Sequence, residues 1–154
     1  MRTPVSYTLK VTVILVRPVV WRQIVVPSDI TLQRLHAVIQ ITTGARDSIQ
    51  HFFIDRRKTV YANPAWKNLP RIKSGRRVSL KKLLGRPGDR LTYYCGDDDE
   101  WEHEVELIKI TTAGRRIARA YCVAGNRRCL ERNEHRKGKF SLSVVSRALR
   151  VITV

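Results

Sequence analysis

Hydrophobic and polar positions alternate along the first stretch of the chain. Tyr7, Leu9, Val11, Val13 and Leu15 share one face, and Thr8, Lys10 and Thr12 the other. A period of two is the signature of a half-buried strand. "VVWRQIVVP" reads as a second strand, closed by Pro27, with Pro18 breaking the run between the two. The period then changes. In "SDITLQRLHAVIQITTG" the positions Leu32, Leu35, His36, Ile39 and Thr43 recur at helical spacing, with Val38 beside them. Ser28, Asp29 or Thr31 can cap this helix, and Gly44 can stop it, which predicts a main helix over about 31–44.

"HFFIDRRKTVYA" predicts strand, turn and strand, followed by a Pro- and cation-rich loop over 62–78. "SLKKLLG" predicts a short second helix at about 79–84, capped by Ser79 and stopped by Gly85. "RLTYYC" and "WEHEVELIKI" are the last clear strands. This order predicts a single α+β domain, a mostly antiparallel sheet with the main helix packed on it. Its expected core comprises Leu9, Val11, Val13, Trp21, Leu32, Leu35, Ile39, Phe52, Leu91, Trp101, Val105 and Leu107. The domain is expected over 1–130. Residues 131–154 read as a basic tail with strand or helix character near its end.

A length of 154 residues suits one domain with a real core, and 43 % hydrophobic residues exclude disorder of the whole chain. The longest apolar run, "VTVILV", is far too short to span a bilayer, and no signal-peptide core is evident. A cytoplasmic location without membrane attachment is therefore expected. The three cysteines, Cys95, Cys122 and Cys129, leave one thiol over in any pairing and argue against a disulfide framework. Cys122 and Cys129 also lack the tight spacing of a zinc knuckle.

Charge changes the picture. Thirty Lys and Arg against 13 Asp and Glu give a formal net charge of +17. Seven of those acids lie between Asp97 and Glu106, leaving 13 − 7 = 6 for the rest of the chain. A basic body with one acidic spot attracts polyanions, nucleic acid above all. Candidate contacts are Arg56, Arg57, Lys58, Arg71, Lys73, Arg76 and Arg77. They are scattered over loops and form no helical stripe, so non-specific backbone binding is the expectation rather than base reading.

Strand periodicity splits the acidic segment into two faces. Trp101, His103, Val105 and Leu107 fall on one, and Glu102, Glu104 and Glu106 on the other. A glutamate ladder needs water or facing cations, and Lys10, Arg115 and Arg119 are candidates. On the opposite face, His103 points inward with the apolar residues. His36 on the helix and His51 just after it could converge with it and Asp99 at a helix–sheet junction. Histidines with a carboxylate suit acid–base chemistry or a divalent metal. The alternatives are an enzyme or metal-binding site at His36, His51, Asp99 and His103, or an interaction module whose histidines are hydrogen-bonded core residues. No HExxH, zinc-deaminase, GxSxG, GxGxxG or P-loop motif is present.

Several pieces taken together resemble the plasmid pRiA4b ORF-3-like family. They are Pro18, Trp21 and Arg22; Leu35, His36, Ile39 and Gln40; Gly44 and His51; and Tyr93, Asp99, Trp101, Glu102 and His103. The resemblance spans roughly residues 5 to 130. It implies a fold and a context, since such proteins occur on plasmids and as passengers of insertion elements, sometimes under a TnpR-like label. It implies no reaction. Ala45 stands where the family usually has Trp, and "CGDD" at 95–98 replaces its Tyr-Asp-Phe-Gly pattern. Cys122, Gly125 and Cys129 are followed by "LERNEH" instead of the family's prolines and acids.

Overall fold

The computed structural model describes residues 3–14, 19–43, 51–62, 72–95, 101–112, 114–126, 146–147 and 149–150. Ten elements follow one another: β1 (Val5–Val13), β2 (Val20–Pro27), α1 (Leu32–Thr43), β3 (His51–Ile54), β4 (Val60–Ala62), β5 (Ile72–Ser74), a 3₁₀ turn (Leu80–Lys82), β6 (Arg90–Cys95), β7 (Trp101–Thr112) and β8 (Tyr121–Gly125). The strands form one sheet in the order β5-β4-β3-β6-β7-β1-β2-β8, and only the β4–β5 pairing is parallel. The expected α+β architecture, a mostly antiparallel sheet with one main helix, is present.

Period-two alternation places Tyr7, Leu9, Val11 and Val13 of β1 in the core, together with Leu91 and Tyr93 of β6 and Val105 and Leu107 of β7. α1 closes this face with Leu32, Leu35, Val38 and Ile39, which belong to the same core cluster. The helix crosses the strands. At its start, the Leu32 amide donates to the Val78 carbonyl, and a Cβ on Gly75 would lie 3.6 Å from both Leu32 Cβ and Tyr61 Cβ. At its end, Arg22 of β2 donates from Nε to the Thr42 carbonyl at 2.7 Å. Arg22 is 0 % exposed and reaches the Trp21 and Asn126 carbonyls as well, at 2.8 and 2.5 Å. A buried guanidinium thus satisfies the orphan carbonyl end of α1 and meets the negative pole of its dipole.

Three expectations change. The second helix is only a 3₁₀ turn at Leu80–Lys82, and Ser79 makes no side-chain cap bond. The turn is held instead by tertiary backbone bonds, Leu80 N to Ile30 O at 2.8 Å and Lys81 N to Ser28 O at 2.9 Å. The 62–78 loop contains a strand, β5, because Ile72–Ser74 pairs with β4. Trp21, Phe52 and Trp101 are half-buried rather than core. Trp21 and Phe52 alternate with the buried Arg22 and Phe53, so pleating turns them to the other face of the sheet. Trp101 packs at the margin of the core. Leu149 is 1 % exposed and joins the core cluster. Among the described residues no helix is long and apolar enough to cross a membrane.

Candidate functional site

The site grows from a row of aromatic side chains on the helix-covered face. Strand register sets Tyr61 of β4 opposite Phe53 of β3, Phe53 opposite Tyr93 of β6, and Tyr93 opposite His103 of β7. Directly opposite residues in adjacent strands share a face and touch. Phe53 and Tyr93 have ring centroids 4.8 Å apart, and Tyr93 and His103 meet edge to face at 5.1 Å. The neighbouring row sets His51 opposite Cys95, and Cys95 opposite Trp101.

α1 lies over these rows. His36 and Gln40 are four residues apart, hence on one face of the helix, and both reach Tyr93. His36 Nδ1 lies 2.5 Å from the Tyr93 hydroxyl. Gln40 and Cys95 also hydrogen-bond this phenol. The His36 ring stacks on His51, with centroids 3.4 Å apart and planes 10° from parallel. His103 Nδ1 donates to the Trp101 carbonyl at 3.0 Å, which leaves Nε2 as the lone-pair nitrogen. That Nε2 is buried with no hydrogen-bond partner among the described residues.

Burial sets the protonation of the group. Desolvation lowers His36 to about 3, with the nearby His51 adding to the effect. Desolvation likewise lowers His103 to about 4, despite its backbone hydrogen bonds. Burial raises the Tyr93 phenol well above its ordinary value and Cys95 to about 11. At neutral pH His36, His103, Tyr93 and Cys95 are therefore uncharged. The phenol has one proton to give and three polar neighbours, so the arrangement is a neutral hydrogen-bond node.

Three of the four predicted site residues thus gather around Tyr93. His36 and His51 touch each other, whereas Tyr93 stands between His36 and His103. Asp99 lies outside the described residues. Among the described residues no three His, Cys, Asp or Glu side chains are grouped so that they could hold a metal ion. Tyr93, Gln40 and Arg22 were absent from the predicted site, although each sits in a motif that carries the family resemblance. The cue for Gln40 was its helical spacing from His36.

The opposite face of the sheet explains the acidic ladder. Glu104 and Glu106 project there, and Arg90 bridges both, from Nη1 at 2.9 Å and from Nε at 3.1 Å. Lys10 stands in register with Glu106, as expected, but its Nζ lies 5.4 Å from the Trp21 ring. Arg90, not Arg115 or Arg119, supplies the facing cation.

The cationic candidates lie along the β3–β4–β5 side of the sheet. Arg56, Arg57 and Lys58 are exposed on the β3–β4 turn. Asp55 builds that turn, taking the Arg57 and Thr59 amides on Oδ1 at 2.9 Å each. Lys58 closes it in the left-handed region, at φ 64°. Lys73 on β5, and Arg76 and Arg77 just after it, are also exposed. Arg71 lies outside the described residues.

The fold is matched by the crystal structure of a protein of unknown function, MM3350, from Methanosarcina mazei Go1. The TM-score is 0.72, with 21 % identity over 86 % of this chain and 75 % of that one. Uncharacterized protein y4hQ of Sinorhizobium fredii is 36 % identical over 103 residues, which cover 64 % of this chain and 51 % of that relative. The chain thus spans about half the length of that curated relative. The family model of plasmid pRiA4b ORF-3-like proteins matches residues 5–137, and the chain belongs to that family.

Proposed function

We propose that this protein binds nucleic acid through the phosphate backbone, using the cationic β3–β4–β5 side of its sheet. The carrying observation is that Arg56, Arg57, Lys58, Lys73, Arg76 and Arg77 are all exposed along two adjacent strands and their turns. None of these six takes part in the ion pairs of Arg90 with Glu104 and Glu106 or of Arg116 with Asp29. The Asp55 carboxylate, the nearest acid in sequence, accepts from backbone amides and from the Tyr61 hydroxyl. The three-residue β4 separates the Arg56–Lys58 turn from Arg76 and Arg77, with Lys73 beside its middle residue, Tyr61. At about 3.3 Å per residue that is roughly 10 Å, a span of about three phosphate steps on one duplex strand.

Such a surface holds charge without reading sequence, consistent with a family found on mobile elements. A gel-shift titration of duplex DNA at low and moderate salt tests it. Retention at low salt should fall steeply as salt rises, and replacing both Arg56 and Arg57 by Glu should flatten the log–log slope by about 0.9 per lost phosphate contact. Failure to retain DNA at low salt, or an unchanged slope in the variant, refutes the proposal.

A further inference from the structure

We propose that the cleft between α1 and the β4–β5 edge is a binding site for a nucleoside 5′-phosphate, with the base seated on an aromatic floor beside His51 and the phosphate on a cluster of arginines. Two adjoining hollows make this cleft. The inner one, of ≈ 200 Å³, is walled by His51, Phe53 and Tyr61 and edged by Gln33, Ser74 and Arg76. The outer one is wider and shallower, includes His36, and adds Arg34 and Arg77 to the shared Gln33 and Arg76.

The inner hollow has the dimensions and surfaces of a base pocket. It equals about seven waters at ~30 Å³ each, room for one planar heterocycle and below the ~300–1,000 Å³ of sites for larger ligands. Phe53 and Tyr61 are fixed as cross-strand partners, so their rings are placed before any ligand arrives. His51 is likewise held by its stack on His36. Phe53 and Tyr61 are 1 % and 8 % exposed and form the floor of the hollow, so the half-buried His51 is the ring with area left for stacking, which suits any base. Gln33 brings an amide, which can serve the polar edge of the ring.

The outer hollow has the character of an anion site. Arg34, Arg76 and Arg77 are all exposed at its rim. The first turn of α1 has no acidic residue, and Arg34 sits there, at the end of the helix where a cation is disfavoured. Arg76 and Arg77 bring two more guanidinium groups to this rim, a concentration of positive charge that suits a dianion. Their planar forks suit phosphate oxygens. Arg76 lines both hollows and would link the two halves of the ligand.

Calorimetric titration of the full chain with AMP, adenosine and inorganic phosphate tests the inference. AMP should bind, with adenosine and phosphate each weaker by at least about tenfold. Arg76→Glu should weaken AMP by about tenfold or more, and Gly75→Leu, whose Cβ would stand 3.6 Å from Leu32 Cβ and Tyr61 Cβ on the wall of the inner hollow, should abolish AMP binding while leaving phosphate binding intact. Far-UV circular dichroism identifies any variant that has lost its fold, and Arg77→Glu then replaces it. No AMP binding at millimolar concentration, affinity unchanged in both Arg76→Glu and Gly75→Leu, or phosphate binding as tight as AMP would overturn it. Replacing Arg56 and Arg57 by Glu should leave AMP affinity unchanged. The cleft can therefore fail while the duplex-binding edge stands, and the reverse.

Discussion

Acid should destabilise this fold well above the pH at which its carboxylates titrate. The cause is the pair of buried imidazoles, His36 lowered to about 3 and His103 to about 4 from an ordinary value near 6.5. Both folded values lie below the unfolded one, so the unfolded chain takes up protons first. The neutral-state stability is fully present above about pH 6.5 and is lost as the pH falls through that value toward 4 and 3. Between about pH 7 and pH 5 an enclosed histidine that stays neutral costs about 1.36 kcal/mol per pH unit below 6.5, or about 2 kcal/mol. His103 is 0 % exposed and takes this value in full. His36 lines the open cleft and contributes less, so the two together amount to about 3 kcal/mol, a large share of a typical total of 5–15. Urea unfolding followed by circular dichroism, at about pH 7 and about pH 5, measures the difference, and an unchanged m-value shows that the same transition is observed. His103→Leu keeps an apolar side chain of similar reach and removes the titrating group. The pH-dependent loss should then shrink by about 2 kcal/mol, whatever the variant's stability at neutral pH. A parent protein equally stable at both values, or a variant with the parent's full acid loss, would refute the reasoning.

Other consequences follow from single contacts. Arg22→Lys should cost at least about 2 kcal/mol in urea unfolding, because one ammonium cannot serve the Thr42, Trp21 and Asn126 carbonyls together; a loss below ~0.5 kcal/mol contradicts the capping role. Glu104→Gln should change stability by less than about 1 kcal/mol, since Arg90 and Glu104 are 62 % and 35 % exposed and Glu106 keeps its own bridge. A larger loss would mean that the ladder is structural. Lys58→Gly should hold or raise the melting temperature, since φ 64° favours glycine by up to ~1 kcal/mol, and a clear fall would argue against that turn geometry.

The period of the sequence determined much of this protein. Alternation through β1 and β7 fixed which side chains face the helix, and a one-residue slip would have reversed both His103 and the glutamates. The 3.6-residue period from Leu32 to Thr43 fixed α1 and set His36 on its sheet-facing side. Other features had no local signal. Ile72–Ser74 is strand only because β4 offers it backbone partners. Leu80–Lys82 is a single 3₁₀ turn whose first amides bond to the distant Ile30 and Ser28 carbonyls. The alternation does place Arg22 among apolar neighbours, but nothing nearby indicates that the last turn of α1 would accept its charge. The node at Tyr93 has the same origin. Sequence could nominate His36, His51 and His103 by type, yet strand register and the crossing of α1 set a phenol among them. Periodicity records which face a residue takes; which partner it meets there is fixed only when distant elements pack.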